Sequence, residues 1–165
     1  MKCRVCMKAD SEITGVDDEK IIMNCPDCGQ YLIEEPTRDE VIAAGELEAK
    51  ASIKQFYDSL DMTRKRNEFF EENDEEPVNV LHMQLMIMTY EALTAKLVEE
   101  KKADADFEQV EELLQMHRSI FSEIVDTIQR QALTMCFVCA KQGLVPPAEL
   151  LADIFNFEVE EEVSK

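Results

Sequence analysis

Residues 1–33 read MKCRVCMKADSEITGVDDEKIIMNCPDCGQYLI, and the four cysteines in that run set the frame for the rest of the chain. Cys3 and Cys6 make one C-x2-C pair, and Cys25 and Cys28 make a second after a gap of eighteen residues. That is the ligand spacing of a structural zinc site, in which each pair aims two thiolates at one ion. Tetrahedral Zn²⁺ with four sulfur ligands has no open coordination position, so such a site holds structure and performs no chemistry. Between the pairs, Ile13-Thr14, a turn at Gly15-Val16-Asp17-Asp18 and then Lys20-Ile21-Ile22-Met23 are expected to form a hairpin. Gly29 is expected in the left-handed conformation, which lets backbone N–H groups turn toward thiolate. Tyr31-Leu32-Ile33 should continue as a strand and not a helix.

Cys25-Pro26-Asp27-Cys28-Gly29 resembles the CPxCG knuckle of zinc ribbons and rubredoxin-like modules. The resemblance covers residues 1–35 only and implies a four-cysteine site on two small β-hairpins. At the first knuckle Met7 stands where the pattern has glycine. Structural zinc, rubredoxin-type iron and a redox dithiol all use cysteines so spaced. The dithiol needs its C-x-x-C beside a βαβ pattern, which is missing, and one structural Zn²⁺ per chain is the expectation. Zinc ribbons serve in transcription, ribosomal, replication and viral proteins, so the resemblance does not choose a function.

The chain has 165 residues, 45 % hydrophobic and 32 % charged, which describes a folded, soluble protein able to bury a core. Four glycines in the whole chain point to mostly helix. No apolar run approaches the roughly 18 residues of a membrane span. Ligand spacing begins at once in MKCRVC and leaves no room for a signal peptide, so the six cysteines are expected as thiols in the cytoplasm, or in a host's if the protein is viral. The formal net charge is −19. Residues 1–35 carry four basic and eight acidic side chains and the remainder 13 and 28, so acidity is spread over the molecule. Such a field repels phosphate backbones and favours basic partners.

The expected architecture is mostly α: a zinc ribbon at 1–35, then a helical bundle at 36–165 with four or five helices, two of them long. Pro36 ends the ribbon, and Thr37-Arg38-Asp39-Glu40 is a capping box. Val41, Gly45, Ala49, Ile53, Phe56 and Leu60 define one helical face, and Asp61 is positioned to cap a continuation to Phe69-Phe70. Residues 71–77, EENDEEP, form an acidic linker. From Val80 to about Lys101 the helix is apolar nearly all round, as for one buried on several sides or meeting another chain. After a break at Ala103–Asp106, a seam of Phe107, Val110, Leu114, His117, Phe121, Ile124, Ile128, Gln131, Met135 and Val138 runs toward Gln142. Gly143 stops it. Pro146-Pro147 starts a short helix through Leu150, Leu151, Ile154 and Phe155, and Glu158 to Lys165 is an acidic tail.

Other candidates are weaker. Cys136 and Cys139, three apart on a helix, could share a metal with His82 or His117, but two small buried apolar residues are the expectation. The histidines have no catalytic partner motif and are expected as hydrogen-bonded core or register-setting groups. Met83, Met86 and Met88 suit either an adaptable groove or core filling. Arg64-Lys65-Arg66, the only basic cluster, should pair with nearby acids, and Asp104 and Asp106 should form a turn and cap. No phosphate loop, nucleophile elbow or H-E-x-x-H appears.

The leading expectation is therefore a non-enzymatic, zinc-containing protein-binding factor: a regulator, adaptor or inhibitor whose partner has a basic surface. A narrower version has dense carboxylates mimicking phosphate on a DNA- or RNA-binding protein, as in phage-type inhibitors. A homodimer fits the long seam. A nucleic-acid-associated zinc ribbon in transcription or processing is the alternative and needs Lys2, Arg4, Lys8 and Lys20 on one exposed face. An enzyme or redox protein using the helical cysteines is the third reading. Neither direct nucleic-acid binding nor a membrane is expected for the leading one.

Overall fold

The computed structural model describes residues 1–17, 20–148, 150 and 153. Alternating burial builds a small antiparallel sheet in the order β1-β2-β3, from Glu12–Asp17, Lys20–Cys25 and Gly29–Ile33. Three helices follow among the described residues: α1 (Arg38–Glu72), α2 (Val80–Ala103) and α3 (Phe107–Lys141). The fold is mostly helical, and α1 and α3 are the two long helices at 35 residues each. The expected helix after Pro146-Pro147 and the acidic tail fall almost wholly outside the described residues. No described helix is long and apolar enough to cross a membrane.

The hairpin differs from expectation. Gly15, Val16 and Asp17 lie in β1 and not in a turn, because the register shifts between Ile13 and Gly15. A bulge of this kind absorbs one residue and bends the strand. Thr14 sits there, its hydroxyl donating to the Ile22 carbonyl at 3.3 Å. In β2, Ile21, Met23 and Cys25 are all buried, so the strand's period of two delivers a cysteine to the same face as the core.

Two compact units arise, and the helices thread both. Met1–Ser52 with Thr94–Glu111 form the first. Its sheet closes on α1 through Ala44, which joins Ile21, Met23 and Ile33 in one core. The capping box is reciprocal: Thr37 N–H donates to Glu40 Oε2 at 2.8 Å, and Glu40 N–H to Thr37 Oγ1 at 3.4 Å. Ile42, Ala44 and Ala49 are buried here, whereas Val41 and Gly45 of the expected face are exposed. The face is rotated because Glu40 turns inward to Arg4 and a small alanine meets the sheet. Arg38 ties α1 to the end of α2 through Asp104 and the Lys101 carbonyl. Asp104 takes a positive φ of 60°, the expected turn.

In the second unit, Ile53–Leu93 and residues from Glu112 onward, three helical segments share one core. Phe56 and Leu60 come from α1, Met83, Met86, Ile87 and Tyr90 from α2, and Ile124, Val125 and Ile128 from α3. The helix break expected at Asp61 does not occur. Asp61 lies outside, 2.6 Å from Arg64, and so supports the helix one turn on without capping it. Nor is α2 buried all round: Leu81 (67 % exposed), Leu85 and Met88 face water. The α3 seam holds at Ile124, Ile128, Gln131 and Val138 but not at Phe107, which is exposed. Gln131 is carried into the core with partners, its Oε1 3.0 Å from the Thr63 hydroxyl and its Nε2 3.4 Å from Asn67 Oδ1.

Candidate metal centre

Cys3, Cys6, Cys25 and Cys28 come together, their sulfurs all within 4.8 Å of one another. Cys3 and Cys28 are 3.9 Å apart at Sγ, as are Cys6 and Cys25. Four thiolates around Zn²⁺ at about 2.3 Å define a tetrahedron with edges of about 3.8 Å, close to the two sulfur pairs at 3.9 Å. None of the six cysteines is in a disulfide.

Each knuckle is shaped by its backbone. In the first, Cys3 N–H donates to the Ala9 carbonyl at 2.9 Å and Met7 N–H to the Cys3 carbonyl at 2.9 Å. Val5 N–H then points at Cys3 Sγ, 3.4 Å away. Met7 closes this turn at φ 61°, taking the left-handed conformation that glycine would take freely. Gly29 does the same for the second knuckle at φ 77°, as expected.

The electrostatics explain why a cation belongs here. Burial resists ionisation of Cys3, but N–H groups of Cys6 and Val5 and the Tyr31 hydroxyl outweigh it and hold its thiol at about 6. Cys6 is lowered by the N–H groups of Ala9 and Lys8. Cys28 is pushed up to about 12, first by withdrawal of its sulfur from water and then by the three neighbouring thiols. Touching thiols ionise as a coupled set, so the last proton stays until a metal cation replaces it. The arrangement can bind an ion and fold around it; with four sulfurs it leaves no place for substrate.

No known protein family, curated protein or solved structure matches the chain. Its own geometry must carry the functional reading.

Two supporting groups escaped the sequence reading. Tyr31 is expected from sequence only as a strand residue, yet its hydroxyl accepts from Arg4 N–H at 3.2 Å, donates to Ser11 Oγ at 3.4 Å and reaches Cys3. Arg4, between the first two ligands, is joined to Glu40 of the capping box. Alternation in β3 could have placed Tyr31 beside Ile33; nothing in sequence pairs residues 4 and 40.

The remaining candidates stay dispersed. His82 is exposed and not a core group, 3.6 Å from Glu123. His117 is half-buried and stacked on Tyr90 at 4.3 Å between ring centres. Cys139 is buried and Cys136 half-buried. Met83 and Met86 fill the core while Met88 points to the opposite side, so the three form no common groove. Among the described residues, the four amino-terminal cysteines are the one cluster suited to a metal.

Proposed function

We propose that this protein is a non-enzymatic protein-binding factor whose first 35 residues are a zinc ribbon, with one structural Zn²⁺ on Cys3, Cys6, Cys25 and Cys28. The partner is a protein with a basic surface, met in the cytoplasm, where thiols stay reduced. The observation that carries the reading is the outer face of α2. Leu81, Leu85 and Met88 recur at helical spacing and are all exposed. An apolar stripe on a chain of net charge −19 is suited to an interface with an apolar centre and a charged rim.

Exposed carboxylates stand on every helix: Glu68, Glu71 and Glu72 on α1, Glu91 and Glu99 on α2, Glu108, Glu111 and Glu112 on α3. They support the narrower version, in which the protein occupies the nucleic-acid cleft of its partner. The alternative of direct nucleic-acid binding loses support from pairing within the chain. Lys2 meets Asp10 at 3.2 Å, Lys20 meets Glu34 at 3.3 Å and Arg4 meets Glu40, leaving Lys8 of the four cations that face would need.

The test is affinity capture from nuclease-treated lysate, with DNA as competitor and Leu85→Asp as control. A basic nucleic-acid-binding protein that DNA displaces and Leu85→Asp fails to retain is the expected result. Retention unchanged by both, or no retained protein, would sink the proposal.

A further inference from the structure

The apolar line on α2 extends past its three large residues. Leu81, Leu85, Met88 and Ala92 stand four, three and four positions apart and are all exposed, while Met83, Met86, Ile87 and Tyr90 on the opposite side fill the core. That alternation of three and four is the seam by which one helix packs along another. From Leu81 to Ala92 it runs about 16 Å along the helix.

An exposed carboxylate borders the line on each side. Glu91, three residues past Met88, accepts from the Tyr57 hydroxyl at 3.1 Å, which places it toward α1. Glu123 of α3 stands on the other side, 3.6 Å from His82, itself three residues before Leu85. The next cation along α2 is Lys96, a turn later, so the acid-bordered stretch ends at Ala92. The backbone groups of this face are already paired along α2, so it offers side chains only. A segment laid on it has to satisfy its own backbone, which an isolated strand does not do and a helix does. A second copy of this chain would answer the shape but not the charge, since two molecules of net charge −19 would meet with like carboxylates at the border.

From these features we propose that the outer face of α2 receives one amphipathic helix of the partner, about twelve residues long, lying along Leu81, Leu85, Met88 and Ala92. Its apolar stripe meets that line, and lysine or arginine on its two flanks meets Glu91 and Glu123. The inference rests on the reading of α2 as the docking face and adds what docks there.

The experiment is a methyl NMR titration of the metal-loaded full chain with a synthetic peptide of about 14 residues, leucines at helical spacing and lysines elsewhere. One control has the same composition in strict leucine–lysine alternation, and a second is the helical peptide with glutamate in place of lysine. The helical lysine peptide should shift the methyls of Leu81, Leu85 and Met88 saturably, with a Kd of about 10–100 μM. Those of Met83 and Met86, in the core, should stay fixed and report that the fold is intact. Leu85→Asp should weaken binding about tenfold or more, whereas a peptide held by charge alone would bind this more acidic variant at least as well. Glu91→Gln with Glu123→Gln should weaken it about threefold to fivefold at low salt. Equal binding of the alternating peptide, equal binding of the glutamate peptide, or unchanged affinity of Leu85→Asp would each overturn the proposal. So would the absence of a saturable Met88 shift up to about 1 mM peptide. The wider reading fails separately: a protein captured from lysate through Leu85, beside a helical peptide that does not bind, would sink the helix and leave the docking face.

Discussion

The guanidinium of Arg4 grips the carboxylate of Glu40 through two bonds, Nε to Oε1 at 3.0 Å and Nη2 to Oε2. One residue sits inside the first metal knuckle and the other in the first turn of α1. The pair therefore links ligand geometry to helix initiation, since the same Glu40 oxygen accepts from Thr37 N–H. Glu40→Ala loses the cap and the ion pair together and should cost about 2–3 kcal/mol in denaturant unfolding of the metal-loaded protein. Arg4→Met keeps the cap and should cost about half as much, because Arg4 is partly exposed and its charge partly screened. Equal losses would mean that the cap contributes nothing.

Acid should reveal the same carboxylate. Burial would raise the Glu40 pKa, but hydrogen bonds from Thr37 N–H, Arg4 and the Thr37 hydroxyl outweigh it and hold the group below the usual carboxylate range. A depressed folded-state pKa stabilises the fold fully above the unfolded value of about 4.3 and loses that effect as pH falls through the folded one. Glu40→Gln should therefore show a shallower decline in stability below about pH 4.5 than the parent chain. Metal release by thiolate protonation is common to both, so the difference between the curves isolates Glu40. Parallel curves would contradict the assignment.

Metal removal should act locally. The first unit has a buried apolar core of Ile21, Met23, Ile33 and Ala44, too small to hold a sheet unaided. Binding energy in four-thiolate modules is on the order of 10–16 kcal/mol and is in effect folding energy. Chelation, or Cys25→Ser, should collapse the amide dispersion of β1 to β3 while helical circular dichroism persists. One metal per chain is the expected stoichiometry by elemental analysis. Retained strand resonances after metal loss would refute a structural role.

What the sequence made legible follows a physical division. The ligands could be read because two residues in each C-x-x-C turn are forced together locally, and the Thr37–Glu40 box is likewise contained in four residues. Contacts between distant residues left no such mark: Tyr31 on Cys3, Arg4 on Glu40 and Thr63 on Gln131 depend on how finished elements pack. In α2 the periodic signal itself is absent. With apolar residues on every side, only the packing of α1 and α3 in the second unit decides that Met83 and Ile87 turn inward and Leu81 and Leu85 outward. Phe107 misled for the opposite reason, since a correct heptad spacing extended past the residues that have a neighbour to meet.

The buried polar contacts of Gln131 make a separate prediction. Its amide sits within hydrogen-bond distance of Thr63 and Asn67, and Asn67 also accepts from Val78 N–H at 3.0 Å. Gln131→Leu would fill the space but take one hydrogen bond from each partner, leaving Thr63 on the Ser59 carbonyl and Asn67 on Val78 N–H, and should cost about 0.5–1.5 kcal/mol in denaturant unfolding. Gln131→Leu with Thr63→Val removes the hydroxyl as well and should recover part of the loss. A double variant no more stable than the single one would show that Thr63 finds its needs met by the Ser59 carbonyl, 2.9 Å away.

Met7 offers the sharpest test of the knuckle geometry. Its φ of 61° places a β-carbon where L-residues crowd their own carbonyl, at roughly 1–2 kcal/mol. The side chain is 71 % exposed and so has little packing to lose. Met7→Gly relieves the strain but gives the unfolded chain more freedom, an opposing effect of about 0.5–1 kcal/mol. The net should be a gain of about 0.5 kcal/mol, seen as tighter metal retention against a chelator and a higher midpoint of sheet unfolding. At the second knuckle Gly29 holds the same conformation with open space around it, so Gly29→Ala meets no clash and pays only the backbone strain. It should weaken retention by about 1 kcal/mol. Opposite signs at the two matching positions would tie both to the left-handed turn; equal signs would place the cause in the side chains instead.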